Sequence, residues 1–358
     1  MRPVNKGPRP QTYSPATMLD FSGADPANQT IVHNELGTLT PTVADCLDLG
    51  LKIAVAATKA KRPKQFKAWK KAFAIVEPKL TEEYKLAAVP LADQLGTYCS
   101  YCETHLPGLI EVEHRLPKAC YPTFMLEWDH LLIACGPCNT KKGSRPDRDT
   151  VQKWLTRDIK NEDECRHEIR DNHFCWPDRN SASYRNLRPT LFADALQNGN
   201  WAQVHLPDAC NLANQVTGTF TATRTVRANV ANVGNDIPVS VQLVGSNNKA
   251  LEMITLLKLN TDGATNTTYD RRMMNRTLAW FRVLQAVQPL ISPGLSPASF
   301  PAVWQNAMGI AKFAGFYSVW VTVLARFTDP MTAGQTLAER FVQDPTTDYL
   351  HTDTTSIP

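Results

Sequence analysis

The pattern of apolar and polar positions changes several times along the chain. Residues 1 to about 40 are rich in Pro, Asn, Thr and Gly and read as an extended arm. From Pro41 to Lys59 the pattern turns helical, with Leu47, Leu49, Leu51, Ile53 and Val55 supplying apolar side chains, until Pro63 interrupts it. A second helix is expected over Lys64–Val76, where Phe66, Trp69, Phe73 and Val76 recur at helical spacing. A third is expected over Thr81–Gln94, with Thr81 as its cap. After Gly143 the chain is polar and charged. Between Thr217 and Leu243 it alternates, with Gly234-Asn235-Asp236 between two runs, which predicts a β-hairpin. Helices follow over about Asp270–Val287, carrying Arg271, Arg272, Arg276 and Arg282, and over about Pro301–Phe327. A loose tail begins after Asp344.

Composition adds bounds to this pattern. The 358 residues are 43% apolar, enough for a sizeable core. A net charge of +4 does not itself announce a nucleic-acid partner, but its distribution is uneven. Lys59, Lys61, Arg62, Lys64, Lys67, Lys70 and Lys71 fall within thirteen residues, and Lys141, Lys142, Arg145 and Arg148 form a second run. Such clusters can neutralise phosphates, or be the solvated face of a helix. The N-terminal stretch lacks the apolar run of a signal peptide, and no stretch approaches the ~18 apolar residues of a membrane span. A cytoplasmic, reduced protein with no membrane partner is expected.

The nine cysteines are odd in number, and four of them form two Cys-x-x-Cys pairs, Cys99/Cys102 and Cys135/Cys138. Four thiolates in two such pairs suit one tetrahedral zinc, and a closed four-Cys site is structural. The 32 residues between the pairs are more than a short hairpin needs. Within them, Leu109–His114 alternates like a strand and ends on Glu113-His114. A carboxylate suits a hard cation such as magnesium or manganese, and a neutral imidazole can take a proton from water. Asn139, directly after Cys138, offers an amide oxygen. Adjacent strand residues point to opposite faces, so joint action by Glu113 and His114 requires a bulge or twist. Cys46, Cys120, Cys165, Cys175 and Cys210 show no pairing pattern and read as small core residues. His105, His173 and Asp178 read as structural ahead of any functional role.

Glu113-His114, then Trp128-Asp129-His130-Leu131-Leu132, then Cys135-Gly136-Pro137-Cys138-Asn139-Thr140-Lys141-Lys142-Gly143 together resemble the HNH endonucleases of the ββα-metal type, over about Gly96–Ser144. The resemblance implies His114 as general base, and Glu113 with Asn139 as holders of one catalytic Mg2+ or Mn2+. It implies His130 as an orienting residue, at a place where the family usually has Asn. Lys118, Lys141, Lys142 and Arg145 would then contact nucleic acid. More loosely, the chain resembles the HNH proteins of bacterial anti-phage systems, such as the Septu and retron-associated nucleases, which pair with an ATPase partner.

The expected fold class is therefore α+β: a zinc-braced ββα-metal core (residues 96–150) between an N-terminal arm and helical region (1–95) and a mixed α/β C-terminal region (151–358) that binds substrate or partner. The expected function is metal-dependent cleavage of DNA in anti-phage defence. Two alternatives stand beside it: the same chemistry on RNA, and a zinc ribbon that binds nucleic acid or protein without cutting. A pure ribbon has no need of Glu113-His114 or Asn139.

Overall fold

The structure, a computed structural model, describes residues 6–57, 59, 62–108, 110–147, 174, 176–177, 187–204, 219–220, 225–230, 233–261 and 270–346. It is mixed α+β, with two small sheets. Contacts group the described residues into two compact units. One is drawn from Gly7–Gln94 and Ile110–Asn172, the other from Met1–Lys6, Leu95–Leu109 and His173–Pro358. His173, Asp178, Arg148, Cys165, Cys175 and Cys210 lie outside the described residues.

In the first unit, α1 (Pro26–Leu36) lies inside the stretch expected to be an extended arm. Its ends follow ordinary capping chemistry. Asp25 accepts from the backbone N–H groups of Ala27 and Asn28, Pro26 opens the helix, and Gly37 closes it at φ +75°. Only Val32 of this helix is buried, which is why apolar periodicity does not announce it. Helix α2 (Val43–Ala57) buries Cys46, Leu49, Gly50 and Ala54. A Cβ at Gly50 would lie 2.8 Å from the Phe73 ring and 2.9 Å from Pro122, so glycine permits this close approach.

Helix α3 (Phe66–Lys85) corrects the expectation of two helices with a boundary at Thr81. It runs straight through Pro78 and Thr81. Pro78 is exposed, and the buried stripe of Phe66, Ala72, Val76, Leu80 and Tyr84 outweighs the lost backbone hydrogen bond. Helix α4 (Ala88–Leu95) follows. Strand β1 (Glu111–His114) pairs antiparallel with β2 (Leu131–Ala134), in the register Glu113↔Leu132 and His114↔Leu131. The connection holds two short 3-10 turns, Pro122–Phe124 and Trp128–His130. Helix α5 (Gly136–Lys142) completes a β-β-α unit.

In the second unit, an antiparallel sheet has the order β4-β3-β7-β6-β5. Its strands are β3 (Leu187–Ala193), β4 (Ala202–Gln203), β5 (Thr219–Phe220), β6 (Val226–Val230) and β7 (Gly234–Gly245). The expected hairpin is β6–β7, but Gly234 pairs with Val230 and so opens the second strand rather than forming the turn. Around the sheet lie α6 (Asn248–Leu257), α7 (Arg272–Leu290), α8 (Phe300–Ala314), α9 (Tyr317–Leu324) and α10 (Leu337–Gln343). The core joins Val239 and Val241 of the sheet to Trp280, Leu284 and Trp320 of the helices.

The single helix expected over Pro301–Phe327 is two helices, because Gly315 breaks it at φ +70°. A Cβ there would sit 2.6 Å from the Glu103 carbonyl oxygen. The α7 arginines are partly accounted for by structural bonds. Arg272 pairs with Asp270 at 2.7 Å, and Arg276 donates to the carbonyls of Val241 and Leu259, both at 3.3 Å. Among the described residues no helix is long and apolar enough to cross a membrane.

Candidate active site and metal centre

The first knuckle is a tight turn. The Cys99 N–H donates to the Thr104 carbonyl and the Glu103 N–H to the Cys99 carbonyl, both at 2.9 Å, with Glu103 at φ +65°. In the second, Cys135 caps α5 and Cys138 lies in its first turn. The sulfurs of Cys99, Cys102, Cys135 and Cys138 are all buried and lie within 4.8 Å of one another. Tetrahedral zinc with Zn–S of about 2.3 Å needs sulfurs about 3.8 Å apart, so this cluster fits a metal ion such as zinc.

Within the β-β-α unit, a cavity of about 220 Å³ is lined by Tyr84, Glu113, His114, Lys118, Asn139 and Lys142, among others. Strand β1 keeps a regular register with no bulge, and both Glu113 and His114, at its end, line the cavity. His114 is buried; its Nε2 lies 2.9 Å from the Met125 carbonyl, and its ring packs edge-on to Tyr84 at 4.5 Å. A carbonyl only accepts, so Nε2 carries the proton and Nδ1 the lone pair. Burial, opposed by the Met125 contact, pushes the His114 pKa down to about 3, with the Lys142 and Lys118 charges adding to the fall. The imidazole is neutral near pH 7.

Glu113 is also buried, and desolvation pushes its pKa up against the pull of Lys142. The Lys142 ammonium lies 2.7 Å from Glu113 Oε1 and donates to the His114 carbonyl at 2.6 Å. Burial lowers the Lys142 pKa, with Glu113 opposing. Glu113 Oε1 is taken up by the Lys142 ammonium, so a metal ion held by this carboxylate would share or displace that contact. Lys142 thus stands inside the site rather than on an exposed phosphate-binding surface. The first turn of α5 carries Cys138, and its last turn directs Lys142 inward.

The other expected site residues take varied positions. Asn139 lines the cavity, and its Nδ2 donates to Glu111 Oε2 at 2.8 Å, fixing the amide with its oxygen free to face elsewhere. His130 is buried away from the cavity lining. Its ring stacks on Phe124 at 4.9 Å, its Nδ1 lies 3.4 Å from the Arg115 guanidinium, and its carbonyl accepts from the Arg115 N–H. Lys118 lies at the cavity wall, 3.0 Å from Glu77 and above the Tyr84 ring at 5.3 Å. Lys141 is half-buried. Arg145 is exposed, and its guanidinium donates to the Lys141 carbonyl.

Three contributors were missed in the sequence. Glu111 had a signal, since it lies two residues before Glu113 and so shares its strand face. The Met125 carbonyl and Tyr84 had none, because loop backbone and a side chain from α3 meet His114 only after folding.

No family model matches the chain, and no solved structure matches it. Over 84 residues the chain is 38% identical to the Septu protein PtuB of Bacillus thuringiensis, a match covering 19% of this chain and 32% of that protein. The chain thus spans about a third of the length of the curated relative it matches.

Proposed function

We propose that this chain is a metal-dependent HNH-type endonuclease that hydrolyses DNA in the cytoplasm, as an effector of anti-phage defence alongside an ATPase partner. The observation that carries the reading is the convergence of a neutral His114, the Glu113 carboxylate and Asn139 on one cavity. The likeness to a Septu protein supports the defence setting.

Glu113 and the Asn139 amide oxygen are the oxygen donors that would hold Mg2+ or Mn2+. When bound, such an ion stabilises charge on the scissile phosphate and the leaving oxygen. His114 takes the proton of the attacking water at Nδ1, while the Met125 carbonyl holds the tautomer and the ring's orientation. A pKa near 3 makes a weak base, and the phosphodiester monoanion entering the cavity raises it towards the working range. Lys118 adds positive charge at the rim. Lys142 fixes the Glu113 carboxylate and the β1 backbone beside His114.

One observation favours a second reading, a zinc-braced binding module that does not cut. The Lys142 ammonium already neutralises Glu113, so the carboxylate has a cation without any metal. Purified protein, incubated with plasmid DNA and with total RNA plus magnesium or manganese, separates the two. Chelator-sensitive cleavage of DNA supports the nuclease, cleavage of RNA alone changes its substrate, and binding without cleavage in any divalent metal supports the module.

A further inference from the structure

The four lysines on the outer face of α3 form a stripe that the cavity chemistry does not use. Lys67, Lys70, Lys71 and Lys85 are exposed, while Ala72, Val76, Leu80 and Tyr84 of the same helix are buried. At 100° per residue, Glu77, Thr81 and Lys70 lie within about 60° of Tyr84 around the axis. Lys67 and Lys85 follow at about 100° and Lys71 at about 140°, on the same side. Ala74 and Pro78 are the other exposed residues of this arc, so nothing bulky stands between the lysines. The arc's one carboxylate, Glu77, is already paired with Lys118. Among the described residues no carboxylate pairs with any of these four lysines. Isolated, a lysine run of this kind is most simply a solvated face.

Its far end changes that reading. Near its C-terminal end α3 contributes Tyr84 to the wall of the His114 cavity: Tyr84 packs on His114, and Thr81 and Glu77 receive Lys118, which also lines the cavity. On one rigid helix the lysine arc thus has Lys67, Lys70 and Lys71 at one end and Lys85 beside the Tyr84 that borders the candidate reaction centre. From Tyr84 back to Lys67 the helix rises about 25 Å, at 1.5 Å per residue. That is about seven nucleotide steps of 3.4 Å along one duplex strand.

We propose that this face of α3 is a docking track for the phosphate backbone of a nucleic acid, leading the strand into the His114 cavity. The proposal rests on the nuclease reading for what happens at the cavity, but binding along the track is measurable without cleavage. Ammonium groups without a carboxylate partner on a regular helix (Lys70 lies over the Phe66 ring at 6.0 Å) supply sequence-independent phosphate contacts, each releasing counterions. The track thus positions a strand and carries no base readout.

The test compares the wild-type chain with Lys67→Gln/Lys70→Gln/Lys71→Gln. Glutamine has nearly the helix propensity of lysine, so α3 is retained, which circular dichroism checks. A second triple variant, Lys249→Gln/Lys258→Gln/Lys312→Gln, removes the same charge elsewhere. Binding of fluorescein-labelled 20-base-pair duplex and single-stranded 20-mer is followed by anisotropy in chelator, over a salt series.

The α3 variant should bind at least tenfold more weakly, and its slope of log K against log salt on the duplex should flatten by about 0.9 per lost contact, roughly 2.7 for three. The control variant should change affinity less than twofold. Hydrolysis of bis(p-nitrophenyl) phosphate, which reaches only the cavity, should be unchanged in the α3 variant. An unchanged slope and affinity in the α3 variant, or an equal loss in the control variant, overturns the proposal. Wild-type binding to polyglutamate but to neither nucleic acid also overturns it, in favour of an acidic protein partner. If the α3 variant loses binding as expected while wild type cuts nothing in any divalent metal, the track stands and the nuclease reading fails.

Discussion

Replacing Lys142 with Met should destabilise the β-β-α unit more than any other single loss of a lysine. The ammonium is 1% exposed, its partner carboxylate 6%, and they lie 2.7 Å apart. The same ammonium donates to the His114 carbonyl at 2.6 Å. Methionine fills similar volume, so packing is kept and the charge alone is lost. Removing one member of a buried pair leaves the other charge uncompensated, at a cost of about 3–5 kcal/mol. Thermal unfolding should therefore shift down by roughly 6–20 °C, at 2–4 °C per kcal/mol for a unit of this size. Adding Glu113→Gln should recover most of the loss, because no buried charge then remains. Millimolar manganese should recover part of it in Lys142→Met and none in the double variant, since a cation bound to the native state stabilises it by mass action. Differential scanning calorimetry of the zinc-loaded proteins reads all three. An unfolding temperature in Lys142→Met within 2 °C of wild type, a margin of about one kcal/mol at most, would refute the reasoning.

Further outcomes follow from the same geometry. Metal analysis should find about one zinc per chain, and Cys99→Ser or Cys135→Ser should lose both zinc and soluble folded protein, because structural zinc binding is coupled to folding; folded, zinc-free wild type would contradict this. His114 has a folded pKa of about 3 against an ordinary 6.5, so the unfolded chain binds more protons between those values and stability falls as pH drops through them. The slope from this group is at most about 1.4 kcal/mol per pH unit, and the difference in urea denaturation between wild type and His114→Gln from pH 7 to 4 isolates it from zinc release; parallel pH profiles would refute it. Gly315→Ala should cost at least about 2 kcal/mol, since it places a Cβ at positive φ against the Glu103 carbonyl, and an unchanged melting temperature would deny that contact.

The side chains that meet in the candidate site were more legible in the sequence than the bounds of the elements that carry them. Cys-x-x-Cys pairs and Glu-His are local patterns, and their spacing survives without knowledge of tertiary structure. The α1 helix also left local signals, in Asp25-Pro26 and Gly37, but its single buried residue gave no periodicity to set against a Pro- and Asn-rich background. Strand β3 alternates Leu187, Pro189, Leu191 and Ala193 towards the core, yet an alternating run of only seven residues did not stand out from its polar surroundings. Lys142 shows the deeper limit. In a Lys-Lys-Gly run it reads as solvated, and only the direction of the last turn of α5 makes it a buried partner of Glu113. The break at Gly315 was equally hidden, because the carbonyl that forces it lies more than two hundred residues earlier.

The most direct test of the nuclease reading is single-turnover cleavage by His114→Ala that is folded and zinc-loaded. Plasmid DNA with saturating manganese is the substrate, and wild type is run alongside. General-base loss is worth ~10²–10⁴-fold, so cleavage by His114→Ala should be at least about a hundredfold slower than by wild type while zinc content stays the same. Cleavage by His114→Ala at the wild-type rate would contradict the assignment of His114 as the base and, with it, of this cavity as the reaction centre.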